Sequence, residues 1–560
     1  MDLLVTSTST IARMSIHEAF TVAGVRVFDG RRVAEATHVR VVDGRVDAVG
    51  GAAVARPGDD LVDGRGGTLL PGLVDAHVHL LPGCAQLAAC FGVTTLIDQF
   101  SKPEVIEPER AAVAASARGE GPVLADLRTS SIGATAPDGH PTLAYAPLPY
   151  VTGPDDADPF VEARVAEGAT HLKIVYDDGS GAMLDIPALD VPSMEALVRA
   201  AHRHGLPVVA HVSTASGAVT VTRCGVDVLA HTPFERMADA EVREVAHAGV
   251  AVISTLGVVD AFPGADGVMP LLARPELAAR LTPRWRRVLA AQGRRWTPPR
   301  PPDGGAARAN LLALLESGVT VLAGTDAPNP GLVAGASLHL ELRHLVSAGL
   351  RPAEALTAAT AAAAETFGLA DRGRIEPGAR ADLVMVEGDP MTDIAATASL
   401  RHAWVGGRPV VPDAYAGSAA ERAGIAWLRE SNAKIMAGVR RAWPGIPAPE
   451  EVTRDDGEIL GRVVPTAGGW QAETVFGAPL GEVAGREQAL DTLRRTGLSV
   501  LAEPWWALTL DDGRWREAVL VEVGPRRVRL RWTDPMSDRG PSGRWFDLDD
   551  VELARRPYDL

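Results

Sequence analysis

The stretch VDAHVHL, residues 74–80, places two histidines at the end of an apolar run. His77 and His79 are two positions apart, so in a β-strand both side chains point to the same face. Two neutral imidazoles at a strand end supply half of a typical metal site. Histidine pairs with this spacing also occur in cores and at surfaces, so the rest of the chain must decide between the two interpretations.

From residue 73 to about 370, apolar runs alternate with Ala-rich amphipathic stretches. This alternation predicts parallel strands joined by crossover helices. One such helix, SMEALVRAAHRHG, is predicted to start with Ser193 as its cap and to end at Gly205. Eight units over roughly 300 residues match the size of a (β/α)8 TIM barrel, which we expect over residues 73–370. The predicted strands are GLVDAHVH, GVTTLID, PVLADLRTS, THLKIVY, LPVVAHVS, DVLAH, VAVIST and VTVLAGTD.

Short strands are predicted on both flanks of this segment. VRVFDGRRV and VRVVDGRVDAVG each hold an Asp-Gly pair between β-branched runs, which is a hairpin signal. After the barrel segment, GRIEPGARADLVMVEGDP and RHAWVGGRPVV return to short strands. We expect residues 16–72 and 371–415 to form one composite β-sandwich domain. Residues 1–15 lack the pattern that follows and are expected to be a disordered extension.

Two further segments depart from the barrel pattern. Residues 256–310, between the seventh and eighth predicted strands, are too long for an ordinary connection and are expected to be a lid or an insertion. After residue 416 the composition shifts, and WREAVLVEVGPRRVRLRW predicts a hairpin. We expect residues 416–560 to be a β-rich accessory domain with a role in binding or oligomerisation.

Composition excludes several classes of function. The net charge of -16 at pH 7 argues against a nucleic-acid partner. No run approaches the roughly 20 apolar residues of a membrane span, so no membrane partner is expected. The three cysteines, Cys84, Cys90 and Cys224, are too few for a disulfide framework or a Cys-rich zinc site. A reducing cytoplasm is the expected location.

Six potential metal ligands share a position in or at the end of a predicted barrel strand. The carboxyl ends of barrel strands form one mouth, where the active site is built, so we expect these residues to converge there. Imidazole nitrogen and carboxylate oxygen suit zinc, manganese or nickel. The six residues are His77, His79, Lys173, His211, His231 and Asp326.

Lys173 is the unusual member of this set. An ammonium group has no lone pair and repels a divalent cation, so an unmodified lysine cannot be a ligand. After carboxylation by carbon dioxide, the two carbamate oxygens can bridge two metal ions. Burial beside cations lowers a lysine pKa and favours the neutral amine that this modification needs.

Several stretches together resemble the amidohydrolase superfamily of binuclear metal hydrolases. Within it, the chain is similar to prolidase-like and imidazolonepropionase-like enzymes with a carboxylated lysine. The resemblance covers roughly residues 20–415 and leaves out the C-terminal segment. It is carried by PGLVDAHVHL, GVTTLID, HLKIVYDDG, VVAHVSTASGA, GVDVLAHTPFE, VTVLAGTDAP, LVSAGLRPAEALTAATAAAAETFGL and IEPGARADLVMVEGDP.

The resemblance implies two divalent ions, most naturally zinc, with carboxylated Lys173 and a hydroxide bridging them. It implies that the hydroxide attacks a carbonyl carbon while the metals polarise its oxygen. Asp326 would take the proton and pass it to the leaving nitrogen. The implied ligands are His77, His79 and Asp326 for the first ion, and His211 and His231 for the second.

Two residues are candidates for substrate binding. His140 lies in ATAPDGHP, where relatives carry a Gly-Gly-His whose histidine contacts substrate; here Asp138 replaces the first glycine. An exposed turn histidine is the alternative. Tyr176, three residues after Lys173, is predicted to hydrogen-bond a substrate oxygen, with a strand-end aromatic as the alternative.

The leading interpretation is a metal-dependent hydrolase that cleaves the amide C–N bond of a small molecule, such as an N-acyl amino acid or a dipeptide. One alternative is a mononuclear deaminase or imidazolonase-type hydrolase of cyclic amides, with Lys173 unmodified. Another is a non-catalytic binding protein on the same fold, against which the complete ligand set argues. A homo-oligomer is a further expectation.

Overall fold

The structure, a computed structural model, describes residues 19–179, 186–262, 268–293, 304–442, 445–466, 468–509, 514–524, 526–534, 543–548 and 550–555. The predicted extension, residues 1–15, lies outside these ranges. The chain divides into two compact units. The first comprises the described residues within Met1–Ala261 and Pro302–Lys434, and the second those within Phe262–Pro301 and Ile435–Leu560.

Two sheets of the first unit are built from both flanks of the chain. Their strands pack on one buried core that includes Phe20, Leu69 and Leu383, and Phe20 stacks on Trp404 with ring centroids 5.4 Å apart. The sheet orders are β4-β3-β1-β5 and β17-β16-β15-β6-β2. The strands are β1 (Phe20–Ala23), β2 (Arg26–Val27), β3 (His38–Val42), β4 (Arg45–Gly50), β5 (Asp60–Asp63), β6 (Gly67–Pro71), β15 (Leu383–Glu387), β16 (Leu400–Val405) and β17 (Arg408–Pro409).

Eight strands between these flanks are parallel to their neighbours, and each lies within one of the eight stretches predicted as strands. They form a three-stranded sheet, β7-β8-β9, and a five-stranded sheet, β10-β11-β12-β13-β14. Their side chains are almost all buried on both faces, as parallel sheets covered by helices require. The strands are β7 (Leu73–Val78), β8 (Val93–Asp98), β9 (Asp126–Thr129), β10 (Leu172–Val175), β11 (Val208–His211), β12 (Val228–Leu229), β13 (Ala251–Ile253) and β14 (Val321–Leu322).

Helices follow these strands along the chain, as crossover connections between parallel strands require. None of the described helices is long and apolar enough to cross a membrane. The helices of the first unit are α1 (Cys84–Cys90), α2 (Pro103–Ala117), α3 (Thr142–Tyr145), α4 (Ala157–Ala166), α5 (Val191–Arg203), α6 (Ala215–Arg223), α7 (Asp239–His247), α8 (Leu256–Asp260), α11 (Gly304–Glu316), α12 (Ala336–Ser347), α13 (Pro352–Ala358) and α14 (Ala361–Thr366).

Backbone hydrogen bonds connect the two parallel sheets at both of their outer strands. At one junction the N–H of Ala76 donates to the carbonyl of Ala323, over 2.9 Å. At the other, the N–H of Ala134 donates to the carbonyl of Lys173, over 2.8 Å. Strand ends that are far apart in sequence are therefore neighbours in space.

The second unit contains two antiparallel sheets, β18-β19-β20-β21 and β25-β24-β23-β22-β26. The predicted C-terminal hairpin is present as β23 and β24. The strands are β18 (Glu450–Thr453), β19 (Ile459–Thr466), β20 (Gly469–Glu473), β21 (Pro479–Ala484), β22 (Trp505–Thr509), β23 (Arg514–Val523), β24 (Arg527–Trp532), β25 (Arg544–Asp547) and β26 (Val551–Ala554). The helices are α9 (Pro275–Ala278), α10 (Pro283–Gly293) and α16 (Arg486–Thr496), and α15 (Ala419–Ala442) continues from the first unit into the second.

The segment between β13 and β14, predicted as a lid or an insertion, contributes α10 to the second unit. Arg284 on α10 pairs with Asp550 over 2.6 Å, and Arg287 pairs with Glu552 over 2.6 Å. Trp285 between them is fully buried. The two ion pairs make α10 part of the ion-pair network of that unit.

Candidate metal centre

The predicted ligands from four separate strands converge at one place. Asp326 Oδ1 lies 2.9 Å from His79 Nε2 and 3.3 Å from His77 Nε2. His211 Nδ1 lies 2.9 Å from His231 Nε2, and the rings of His77 and His231 are 4.7 Å apart. The ligand atoms of His77, His231 and Asp326 fall within 4.8 Å of one another, as one bound cation requires.

Each of the four imidazoles has one nitrogen held by a hydrogen bond that points away from this cluster. The other nitrogen of each ring is therefore fixed towards the cluster, an arrangement that orients metal-binding histidines in proteins. The outward bonds join His77 Nδ1 to Ala230 O (3.0 Å), His79 Nδ1 to Phe100 O (2.9 Å), His231 Nδ1 to Thr255 Oγ1 (2.8 Å) and His211 Nε2 to Asp177 Oδ2 (3.4 Å).

The protonation pattern that these bonds impose creates a site for a cation. A carbonyl oxygen only accepts, so His77 and His79 each donate through Nδ1–H, and the neutral ring then has a lone pair on Nε2. Both lone pairs face the same oxygen of Asp326, which also only accepts when ionised. Three acceptors within hydrogen-bonding distance repel one another unless a proton or a metal ion lies between them.

Lys173 contributes a buried amine to the same place. Its side chain is 2% exposed, and Nζ has no hydrogen-bond partner among the described residues. Burial lowers the pKa of Lys173 to about 7, so the neutral amine is well populated near neutral pH. The positive charge of Lys173 adds to burial in lowering the pKa of His77. A buried lysine without a partner fits a carboxylated lysine that bridges two cations.

Space around Lys173 depends on a glycine in the segment after β9. A Cβ on Gly133 would lie 2.8 Å from the ring of Phe100 and 3.0 Å from Cγ of Lys173. Any larger residue at position 133 would therefore displace the lysine or the aromatic ring.

The backbone at Asp326 adopts a conformation that is rare for residues other than glycine, with φ of 60°. The N–H of Asp326 donates to the carbonyl of His77, over 2.7 Å. The fully buried Asp75 accepts from Thr325 N and Thr325 Oγ1, over 2.9 and 2.7 Å. These bonds join the end of β7 to the segment after β14 and hold Asp326 against both histidines.

The two predicted substrate-binding residues have different surroundings. His140 stacks on His211, with centroids 4.8 Å apart and planes at 28°, and it is exposed. Tyr176 packs beside Gly217 on α6, and its phenol hydrogen-bonds Thr220 on the same helix. The structure thus brings His140 to the cluster and leaves Tyr176 against α6.

Sequence reasoning missed an aromatic residue beside the cluster. The ring of Tyr145 lies 6.4 Å from that of His79 and 4.7 Å from that of Phe100. Burial raises the pKa of Tyr145, as do the nearby carboxylates of Asp98 and Asp326. Tyr145 lies in α3, well past the end of a strand, and no strand-end signal points to it.

Two further carboxylates at strand ends, Asp98 and Asp177, interact with ligand side chains. Asp98, at the end of β8, accepts from Ser101 Oγ (2.6 Å), and its charge acts on both His79 and Lys173. Asp177, just after β10, accepts from Ser213 Oγ over 3.1 Å and from the N–H of Gly179 over 2.9 Å. Asp98 and Asp177 lie at or just after the end of a strand, and this is the same position that identified the ligands.

The chain is similar in sequence to several known proteins. Residues 68–410 match the model of the Amidohydrolase family. The imidazolonepropionase of Salinispora arenicola (strain CNS-205) is 26% identical over 392 residues, which is 62% of this chain and 85% of that protein. The imidazolonepropionase of Ectopseudomonas mendocina (strain ymp) is 28% identical over 439 residues, 69% of this chain and 93% of that protein.

Solved structures support the fold. A Xaa-Pro dipeptidase with bound methionine in its active site is 22% identical, with a TM-score of 0.56, over 70% of this chain and 99% of that one. Molinate hydrolase is 20% identical, with a TM-score of 0.55, over 71% of this chain and 95% of that one. The resemblance predicted from the strand-end motifs is confirmed: the chain belongs to the amidohydrolase family of hydrolases.

Proposed function

We propose that this amidohydrolase uses two divalent metal ions to hydrolyse the amide C–N bond of a small molecule such as an N-acyl amino acid or a dipeptide. One observation carries the proposal: four imidazoles, each fixed by an outward hydrogen bond, direct their other nitrogens into a volume shared with Asp326 and with buried Lys173, whose Nζ has no hydrogen-bond partner among the described residues. The chemistry of this donor set suits zinc.

In this proposal His77, His79 and Asp326 would hold the first ion, His211 and His231 would hold the second, and carboxylated Lys173 would be a ligand of both. When bound, the ions supply a positive charge that polarises a substrate carbonyl and lowers the pKa of a coordinated water. A carboxylated lysine balances part of that charge in a site from which most solvent is excluded.

The residues of the chain supply proton transfer and orientation. The carboxylate of Asp326, 7% exposed, accepts a proton from the attacking water and donates it to the leaving nitrogen. His140 lies on the exposed side of His211, where it can donate to the carbonyl oxygen of a bound substrate. The rings of Tyr145 and Phe100, which pack in one apolar cluster with Ile132, would limit the access of water beside His79. Tyr176 stays a predicted substrate contact.

We also propose that β7–β14 close into a (β/α)8 barrel, and that its mouth holds the site. The two sheets provide eight parallel strands in chain order, and backbone bonds connect them at Ala76 with Ala323 and at Ala134 with Lys173. Residues 16–72 and 371–415 would then form the composite β-sandwich beside this barrel, and residues 416–560 the accessory region.

Hydrolysis of a cyclic amide at a single metal ion is the second candidate. Its substrate class is supported by the names of the sequence relatives, which include the imidazolonepropionases of Salinispora arenicola and Ectopseudomonas mendocina. In that case Lys173 would stay an unmodified amine, with its positive charge reduced by the pKa of about 7.

A substrate panel on metal-loaded protein tests the proposed function. We expect release of free amine from N-acyl amino acids or dipeptides, and a roughly 100-fold or larger loss of kcat in Asp326→Asn. The matched control is Asp239→Asn, an exposed carboxylate at the start of α7, which should keep the parent kcat. Turnover of imidazolone-type cyclic amides alone would favour the second candidate, and turnover of neither class would overturn both.

A further inference from the structure

The turn after β13 has an unusual backbone. Thr255 has φ of 43° and ψ of 34°, and it is completely buried. The left-handed region is unfavourable for a β-branched residue, so the surrounding structure must hold it there.

The side chain of Thr255 does not cap the helix that follows it, although a threonine at this position normally does. Thr255 precedes α8, and the hydroxyl of a residue there usually accepts a bond from the first turn of its own helix. Here the side chain makes no such bond, and Oγ1 lies 2.8 Å from Nδ1 of His231. The same turn also binds Thr232, the residue after His231, because Thr232 Oγ1 donates to the carbonyl of Ser254 over 3.1 Å.

A residue from another helix caps α8 instead. Glu341 on α12 accepts from the backbone N–H groups of Leu256 (2.9 Å) and Gly257 (2.7 Å), and from the hydroxyl of Ser254. Glu341 is completely buried, and its carboxylate therefore spans the residues on both sides of Thr255. A Cβ on Gly257 would lie 3.2 Å from Oε2 of Glu341, so the glycine allows this close approach.

We propose that Glu341 is a positioning residue for the second metal ion. It holds the turn of residues 254–257 in the conformation that directs Thr255 Oγ1 to His231, and this bond fixes Nε2 of His231 towards the site. The inference rests on the proposed function, because it assigns a role relative to a metal ligand. In this role Glu341 acts on the metal ligand His231 indirectly, through Thr255.

Metal affinity tests the inference without a substrate. Zn²⁺ binding is measured by competition with a chromogenic chelator, and the visible spectrum of the Co²⁺-loaded protein reports ligand geometry. Thr255→Val removes the hydroxyl and keeps the shape, while Thr255→Ser keeps the hydroxyl. Glu341→Gln keeps the size of the side chain but places an N–H donor against a backbone N–H.

We expect Thr255→Val and Glu341→Gln each to weaken the binding of one Zn²⁺ roughly 10–100-fold and to change the Co²⁺ spectrum. Thr255→Ser should keep the parent values. Because Glu341 acts through Thr255, the double variant should bind Zn²⁺ about as tightly as Thr255→Val alone.

The matched control is Glu109→Gln. Glu109 is also a buried carboxylate on one helix that accepts from the start of another, at Gly83 N and Ala85 N. Within the described part of the chain it makes no hydrogen bond to a residue that holds a ligand side chain. It should cost stability and leave Zn²⁺ affinity unchanged.

Three results would overturn the inference: parent affinity in Thr255→Val or Glu341→Gln, an additive loss in the double variant, or an equal loss of affinity in Glu109→Gln. If Glu341→Gln does not fold, the pair Thr255→Val and Thr255→Ser still decides, because equal affinities in the two would overturn it. A parent protein that binds no metal refutes the proposed function as well, whereas two ions bound equally by all variants refute this inference alone.

Discussion

Two completely buried carboxylic acids, Asp75 and Glu341, hold strand-end turns around the proposed metal centre. Among the described residues, Asp75 accepts from groups at Thr325 and His77, and Glu341 accepts from the turn of residues 254–257. Burial raises the pKa of each to about 7. Both residues therefore exchange a proton with solvent at a pH where ordinary carboxyl groups are fully ionised.

This pKa shift predicts how stability depends on pH. The pKa of Glu341 rises from 4.5 to about 7 on folding, so the folded state holds the proton more tightly than the unfolded state. The resulting stabilisation is complete below pH 4.5 and is lost as the pH rises through 7, by at most about 1.4 kcal/mol per pH unit. In Glu341→Gln the free energy of unfolding should vary less with pH in this window, as measured by urea titrations at several pH values.

The matched control for this experiment is Glu107→Gln, because Glu107 is exposed. It should keep the pH dependence of the parent. If the free energy of unfolding varies with pH equally in Glu341→Gln and in the parent, the assignment of this dependence to Glu341 is contradicted. The dependence that remains in Glu341→Gln is expected to come from Asp75.

At the level of single residues, the sequence predicted the ligands better than their surroundings. His77, His211 and Asp326 could be identified because strand ends collect at one edge of a parallel arrangement. The groups that orient the rings include the carbonyls of Ala230 and Phe100, which every amino acid carries. Such contacts depend on the position of the backbone alone, so the residue types in the sequence do not predict them.

At the level of elements, apolar runs located all eight parallel strands, but their bounds and caps depended on local competition. Helix α5 was predicted to begin with Ser193 as its cap; in the structure Asp190 is the cap and accepts from Ser193 N over 2.9 Å. This prediction was wrong because two residues that cap helices well lie three positions apart. The earlier one is followed by Val191 and Pro192, and proline suits the first turn.

Contact between β14 and β7 depends on a glycine without unusual backbone angles. A Cβ on Gly324 would lie 2.5 Å from Cγ2 of Ile253 and 2.8 Å from Cβ of His77. Gly324→Ala should therefore lower the free energy of unfolding by roughly 1–3 kcal/mol through overpacking, and weaken Zn²⁺ binding by displacing His77. Denaturant titration and chelator competition measure the two effects.

The control for that substitution is Gly153→Ala, where an added Cβ would meet nothing within 4 Å. It should leave both quantities unchanged. If Gly324→Ala keeps the stability and the Zn²⁺ affinity of the parent, the strands can move apart at no cost. That result would contradict the close contact of Gly324 with Ile253 and His77.

At the level of the whole molecule, the path of the chain between β13 and β14 was the hardest feature to predict. Length alone indicated a lid or an insertion, and the structure includes α10 in the second unit. The contacts that do this join Arg284 to Asp550 and Arg287 to Glu552. Ion pairs between residues so far apart in sequence leave no local pattern, whereas the hairpin of β23 and β24 was predicted from its alternating residues.

Deletions test this division. A chain that lacks residues 435–560 but keeps 262–301 should expose Trp285 and aggregate, because α10 loses the groups that its arginines bind. A chain that lacks 435–560 and carries a short Gly/Ser linker in place of 262–301 should stay monodisperse and bind Zn²⁺. Gel filtration and tryptophan fluorescence distinguish the two, and equal behaviour of both deletions would contradict the division.

We propose that buried Lys173 joins two metal ions in one site. Metal content per chain by elemental analysis, on the parent and on Lys173→Ala expressed with bicarbonate and zinc, tests it most directly. The account predicts two ions in the parent and one or none in the variant. One ion in both proteins would contradict the binuclear centre and direct the search to cyclic amides.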